Sequence, residues 1–297
     1  MTVVVTGANG LVGSCVVARL DAAGEKVVAA GRGPPRQLPS RIEYVELDVQ
    51  RADALRELIS TIAPRGVIHC AAMTDVDACE RDPLQAWTVN VSATEAAALG
   101  CRDTGARLVA LSTDYVFDGE RGPYSEEDAP NPRGVYSRTK RIGEEAALLL
   151  APDSVVARVA VVYSGRRGAK RTFANAAAEK LLAGQEVRAF HDQVVSPTLA
   201  DNAAEMVIGV FRSGERGIWH CAGASMVSRV DFCRALARKL RADERLVVPV
   251  ALSAAKLPAP RPARCALKVD KVRRLLGHSV PLELDAALDR FLAERGP

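Results

Sequence analysis

The sequence predicts an α/β fold: a doubly wound parallel sheet with a smaller, mostly helical C-terminal lobe. Three observations lead there. Apolar runs alternate with helix-patterned segments over roughly the first 164 residues, as in a sheet covered on both faces. The runs are continuously apolar rather than alternating, as strands buried on both sides require. A glycine-rich turn separates the first run from the first helix, the place where such folds build their sites.

Taken in order, residues 2–6 form a β-branched run. Residues 12–23 read as a helix with Val12, Val16, Val17 and Leu20 on one face, closed by Gly24. Residues 26–30 and 42–47 are the second and third strands. Residues 51–62 carry helical periodicity and stop before Pro64. Residues 66–70 are a buried strand, and 82–100 an alanine-rich helix with Pro83 in its first turn. Strands at 107–112 and 155–162 flank a helix at 135–150. Beyond residue 164 the texture changes. A basic, glycine-containing loop at 165–170 leads to helices at 173–183, 202–212, 229–241 and 284–294, and 257–264 is a proline- and arginine-rich loop. The chain therefore divides into a dinucleotide-binding unit, 1–164, and a substrate lobe, 165–297, with some crossing of the chain between them. The cleft between lobes is the expected site.

The 297 residues are 48% apolar and 26% charged, with 40 Lys and Arg against 36 Asp and Glu. That is ordinary for a globular protein, and a formal charge of +4 lacks the concentrated basic stripe of a nucleic-acid binder. No apolar run approaches the ~20 residues of a membrane helix, and the chain starts directly as a strand, with no basic leader. The seven cysteines form no CxxC pair, which reads as reduced thiols in a cytoplasmic protein. The four histidines show no ligand spacing, so no metal site is expected.

Gly7, Gly10 and Gly13 make a GxxGxxG turn directly between the first strand and helix. Glycines let the backbone approach a pyrophosphate, and the helix N-terminus offers free N–H groups to it. After the second strand stands Ala30-Gly31-Arg32 with Arg36 behind and no acid. An acid there would bind the ribose hydroxyls of NAD, whereas an arginine suits a 2′-phosphate. NADPH is therefore the expected cofactor, with NADH also admissible. Tyr136 and Lys140 form YxxxK, one helical turn apart on one face. An ammonium beside the phenol is expected to lower its pKa, and a tuned phenol can protonate a carbonyl oxygen as hydride arrives at carbon. Thr113, at the end of a strand, could hydrogen-bond the same carbonyl.

The segments TGANGLVG (6–13), AAMTDVDACE (71–80), STDYVFDG (112–119), YSRTK (136–140), DQVVSPT (192–198), GIWHCAG (217–223) and RPARCAL (261–267) carry a wider resemblance. Across nearly its whole length the chain resembles the extended short-chain dehydrogenase/reductases, and within them the dTDP-4-dehydrorhamnose reductases and related nucleotide-sugar 4-ketoreductases. The resemblance implies reduction of the C4 ketone of a dTDP-linked 6-deoxyhexose with NAD(P)H. Tyr136 would be the proton donor, Lys140 its partner and Thr113 the carbonyl's hydrogen-bonding residue. Gly10, Leu11 and Val12 would touch the pyrophosphate, Asp48 and Val49 the adenine, Ala71, Ala72 and Met73 the nicotinamide side, and Asp114 the sugar. The chain departs from the family at Leu11, usually Gln, and at Val161, where a tryptophan usually shapes the sugar site. The resemblance thus carries the chemistry and leaves the particular sugar open.

Arg158 and Arg261 are candidates for a substrate diphosphate, or equally for structural ion pairs. His220, Met206 and Phe211 read as core. Two other activities fit the same motifs: a non-catalytic NADP-binding regulatory subunit, and an epimerase or dehydratase that retains its cofactor. Self-association into a homodimer is compatible with all three.

Overall fold

The computed structural model describes residues 2–296. The first half of the chain runs β1 (Thr2–Thr6), α1 (Leu11–Ala22), β2 (Lys26–Gly31), β3 (Glu43–Glu46), α2 (Ala52–Ile62), β4 (Gly66–His69), α3 (Val76–Arg81), α4 (Pro83–Trp87), α5 (Ala93–Thr104), β5 (Arg107–Thr113), α6 (Val135–Leu150) and β6 (Val155–Val159). Then follow β7 (Val162–Tyr163), α7 (Phe173–Leu182), β8 (Val187–Phe190), β9 (Val194–Val195), β10 (Thr198–Leu199), α8 (Ala200–Ser213), β11 (Gly217–His220), β12 (Val227–Ser228), α9 (Arg229–Leu240), β13 (Val247–Val250), α10 (Asp270–Leu276) and α11 (Leu284–Arg295).

Seven parallel strands form the main sheet in the order β11-β6-β5-β4-β1-β2-β3. Alternation along β1 divides its side chains between two cores. Val3 and Val5 pack with α1 and α8, whereas Val4 packs with α2, α5 and α6 on the other face. Both faces being covered explains why the strands read as uninterrupted apolar runs. A third core, around Tyr163, Phe232 and Phe291, unites α7, α9 and α11 with the β8–β13 ribbon in the smaller lobe.

The chain crosses between the two parts more than once. β11 and α8 lie after residue 164 yet complete the main sheet and its covering layer. Hydrogen bonding to β6 and packing on α1 place them there, and neither leaves a compositional mark.

Two elements differ from expectation for identifiable reasons. The helix expected to end at Gly100 continues to Thr104, and Gly105 closes it at φ 70°. Gly100 is instead a packing glycine, because a Cβ there would lie 3.1 Å from Ile59. The same helical stretch contains a π-helical turn at Thr88–Ser92, a distortion frequent at functional sites. The strand expected over 155–162 breaks after Val159. Val161 adopts φ 41°, which re-aims the chain so that β7 pairs with β10 outside the main sheet.

Candidate active site

The sheet order reverses between β1 and β4. Ligands of open α/β sheets sit in the crevice beyond the carboxyl ends of the strands at such a switch point. A cleft of about 850 Å³ opens there. The residues expected to touch cofactor line it, Gly7, Gly10, Leu11, Val12, Gly13, Arg32, Asp48, Val49, Ala71, Ala72 and Met73, and so do Tyr136 and Lys140.

The glycines at its floor are sterically required. Gly7 has φ 65°, and a Cβ on it would come within 2.6 Å of the Ala71 backbone nitrogen; a Cβ on Gly13 would lie 2.2 Å from the Gly7 carbonyl oxygen. Gly10 caps α1 with no side-chain hydrogen bond to the helix's first N–H groups. Those donors are free for an anion, and the helix dipole favours one. The turn therefore fits a dinucleotide pyrophosphate on steric and hydrogen-bonding grounds.

Asn9 organises the wall beyond. Its Nδ2 donates to the carbonyls of Arg32 (3.1 Å) and Pro34 (3.0 Å), and its Oδ1 accepts from the Arg36 N–H (2.8 Å). One side chain thus holds both arginines on the rim of the cleft. Asp48 is tied back to Gln50 by hydrogen bonds from the Gln50 backbone and side chain.

Tyr136 lies in the first turn of α6 and is buried, with the Tyr115 ring edge-on at 6.0 Å. Burial pushes its phenol well above the ordinary tyrosine range, Thr113 pulls it down by hydrogen bonding, and the Asp114 charge adds to the rise. The expectation that Lys140 acidifies the phenol is therefore corrected. Lys140 Nζ donates to the Leu111 carbonyl at 2.7 Å, and burial lowers its own pKa to about 8, against the charges of Glu144 and Cys70. The i, i+4 spacing puts both residues on one helix face, but the ammonium turns down to the sheet. What results at neutral pH is a protonated phenol, the form a proton donor needs.

Thr113 ends β5 in extended conformation, accepts from the Tyr115 N–H (3.2 Å) and donates to Asp114 Oδ1 (3.0 Å). Cys265 Sγ donates to the other Asp114 oxygen at 3.1 Å. Burial pushes the Asp114 carboxyl up to about 6, with those hydrogen bonds and the Arg229 charge pulling it down. Thr113, Asp114 and Val161 all line the cleft. The two arginines weighed for a diphosphate are engaged elsewhere. Arg158 is fully buried in a two-pronged pair with Glu144 (both contacts 2.8 Å) and lies over the Phe117 ring. Arg261 is not among the cleft-lining residues; it bonds Asp77 at 2.9 Å and the Ala259 carbonyl at 3.0 Å. His220 is buried, and burial pushes it down to about 3. Among the described residues no cluster could hold a metal ion, and no helix is long and apolar enough to cross a membrane.

A family model described as the RmlD substrate binding domain matches residues 1–295. The chain belongs to this family. It is 36% identical over 287 residues to a probable low-salt glycan biosynthesis reductase of Haloferax volcanii, covering 95% of each chain. It is 36% identical over 273 residues to the dTDP-4-dehydrorhamnose reductase of Mycobacterium tuberculosis, covering 89% of this chain and 84% of the relative. Among solved structures it is similar to a dTDP-4-dehydrorhamnose reductase of Clostridium acetobutylicum, with 28% identity, TM-score 0.84 and 98% of both chains covered. Such RmlD-type chains are extended short-chain, NAD(P)-dependent oxidoreductases, in agreement with the resemblance read from the motifs.

Four functional neighbours escaped the motif reading of this RmlD-family chain. Asn90, in the π turn, accepts from the Met73 N–H (2.9 Å) and donates to the Met73 carbonyl (3.2 Å) and to Thr139 Oγ1 (3.1 Å). It fastens the nicotinamide-side loop to the tyrosine helix. Asn9 was visible only as the third residue of the glycine turn. Phe173 and Arg229 also line the cleft, and no local pattern distinguishes them from surface residues.

Proposed function

We propose that the protein reduces the C4 ketone of a dTDP-linked 6-deoxyhexose, with NADPH preferred over NADH. The observation that carries this reading is the buried, protonated Tyr136 beside Thr113, in one cleft with a glycine turn shaped for pyrophosphate. The glycine turn would hold the cofactor's pyrophosphate, Arg32 and Arg36 its 2′-phosphate, Asp48 and Val49 its adenine, and Ala71 to Met73 the nicotinamide side. Bound dihydronicotinamide supplies the hydride for the carbonyl carbon. Tyr136 gives its phenolic proton to the carbonyl oxygen, converting ketone to alcohol. Thr113 turns its hydroxyl from Asp114 to that oxygen and fixes its approach to the phenol. Lys140 would hold the nicotinamide ribose rather than acidify the phenol, and solvent reprotonates the phenolate left behind. Asp114 and Val161 contact the sugar, and Arg261 supports the substrate side through its bond to Asp77.

The intact Thr113, Tyr136 and Lys140 set argues against a purely regulatory binding subunit, which has no need of a buried phenol. The test is NADPH oxidation with freshly prepared dTDP-4-keto-6-deoxyhexoses. Turnover with at least one of them, and faster with NADPH than NADH, is expected. No turnover with any of them by folded protein would overturn the reading.

A further inference from the structure

Arg229 opens α9 on the lobe side of the cleft and is held from three directions. Its guanidinium carbon lies 4.2 Å from the Phe173 ring centroid. Its Nε donates to Gln193 Oε1 at 3.1 Å, and its backbone N–H donates to the Gln193 carbonyl at 3.3 Å. Gln193 is in turn anchored to the Pro262 carbonyl. The Arg229 Nη1 is buried and has no hydrogen-bond partner. Among the described residues no carboxylate lies within ion-pair distance of this guanidinium. Asp114 feels its charge but is bonded to Thr113 and Cys265 instead.

Arg229 as a whole is half-buried, and a partly desolvated cation without a counter-ion carries a cost that an anion meeting it offsets. Arg158 and Arg261 have protein carboxylates for that purpose; Arg229 has none among the described residues. A planar guanidinium with an unused N–H edge matches phosphate oxygens better than a neutral hydroxyl. Stacking on Phe173 fixes the plane in advance, so little side-chain freedom is lost on binding. The cofactor's own pyrophosphate already has the glycine turn at the start of α1 to receive it. Arg229 stands instead on the side of Asp114 and Tyr115, whose charges it senses.

We infer that Arg229 binds the phosphoryl group that joins the substrate's sugar to its nucleotide, held in place by Phe173 and Gln193. This rests on the nucleotide-sugar reading above and names the residue that recognises the anionic part of that substrate.

The test titrates dTDP and thymidine into the NADPH-loaded protein by calorimetry, for wild type, Arg229→Gln and Arg229→Lys, with thermal unfolding as the check on folding. The inference expects Arg229→Gln to weaken dTDP binding about ten- to hundredfold, with thymidine binding and NADPH affinity unchanged. Arg229→Lys should fall between, because it keeps the charge and loses the planar fork. If Arg229→Gln does not fold, Arg229→Lys decides, with a loss of about threefold or more expected for dTDP alone. Unchanged dTDP affinity in the folded variant, equal losses for thymidine, or no dTDP binding by wild type would each overturn the inference. The functional reading fails separately. Wild type that binds dTDP through Arg229 yet reduces no ketone sinks only the reductase assignment, whereas ketone turnover with an unaltered KM in Arg229→Gln sinks only the role of Arg229.

Discussion

The two ends of the cleft are built from different materials. The cofactor end is made largely of backbone: Gly7 and Gly13 leave no room for a Cβ in the β1–α1 turn, and Asn9 holds main-chain atoms of Arg32, Pro34 and Arg36. The substrate end is made of side chains from distant segments, with buried Asp114 just after β5, buried Cys265 from the late loop and half-buried Arg229 from α9 meeting at one place. A backbone site tolerates few residue types but asks little desolvation of charge. A side-chain site can be varied one residue at a time, at the cost of burying polar groups. One fold can thereby keep its cofactor and change its sugar.

This contrast can be broken at each end. The largest effect is expected from Gly13→Ala, whose Cβ would sit 2.2 Å from the Gly7 carbonyl. NADPH affinity measured by fluorescence titration should fall about a hundredfold or more, as expected for a misplaced turn. Next comes the Arg32→Ala, Arg36→Ala double variant. Its KM for NADPH should rise about tenfold or more with the KM for NADH unchanged; equal changes for both cofactors would remove the 2′-phosphate assignment. Asn90→Ala, which unfastens Met73 from α6, should reduce kcat about tenfold and lower unfolding free energy by about 1–3 kcal/mol, read from steady-state kinetics and urea melts.

The smallest effect is a pH dependence at the substrate end. The folded pKa of Asp114 is raised to about 6 from an ordinary value of 3.8. Its contribution to stability is therefore fully present below the unfolded value and lost as pH rises through about 6. Relative to Asp114→Asn, wild type should gain about 1 kcal/mol between pH 7 and pH 5 in urea unfolding. A flat difference would show that Asp114 is not desolvated as described.

The same contrast explains what was legible beforehand. The glycine turn, YxxxK and the strand–helix alternation are local patterns, and each lies where its motif placed it. The membership of β11 and α8 in the main sheet depends on pairing with β6 and packing on α1, which no local window records. Arg229 looked like one more basic residue at a helix start. Only the fold reveals that Phe173, Gln193 and a missing carboxylate set it apart. The direction of the Tyr136 shift was misread for a related reason. Spacing predicts which helix face a lysine shares, but not that its ammonium will satisfy the Leu111 carbonyl. Burial, which depends on the whole fold, then dominates the phenol.

The central claim is that a buried, protonated Tyr136 delivers the proton that completes ketone reduction. Single-turnover NADPH oxidation by Tyr136→Phe, with a dTDP-4-keto-6-deoxyhexose that wild type reduces, tests it most directly. The account predicts a rate lower by about 10²–10⁴-fold with NADPH and dTDP affinities retained. A variant that turns over at the wild-type rate, cofactor and substrate bound, would contradict it.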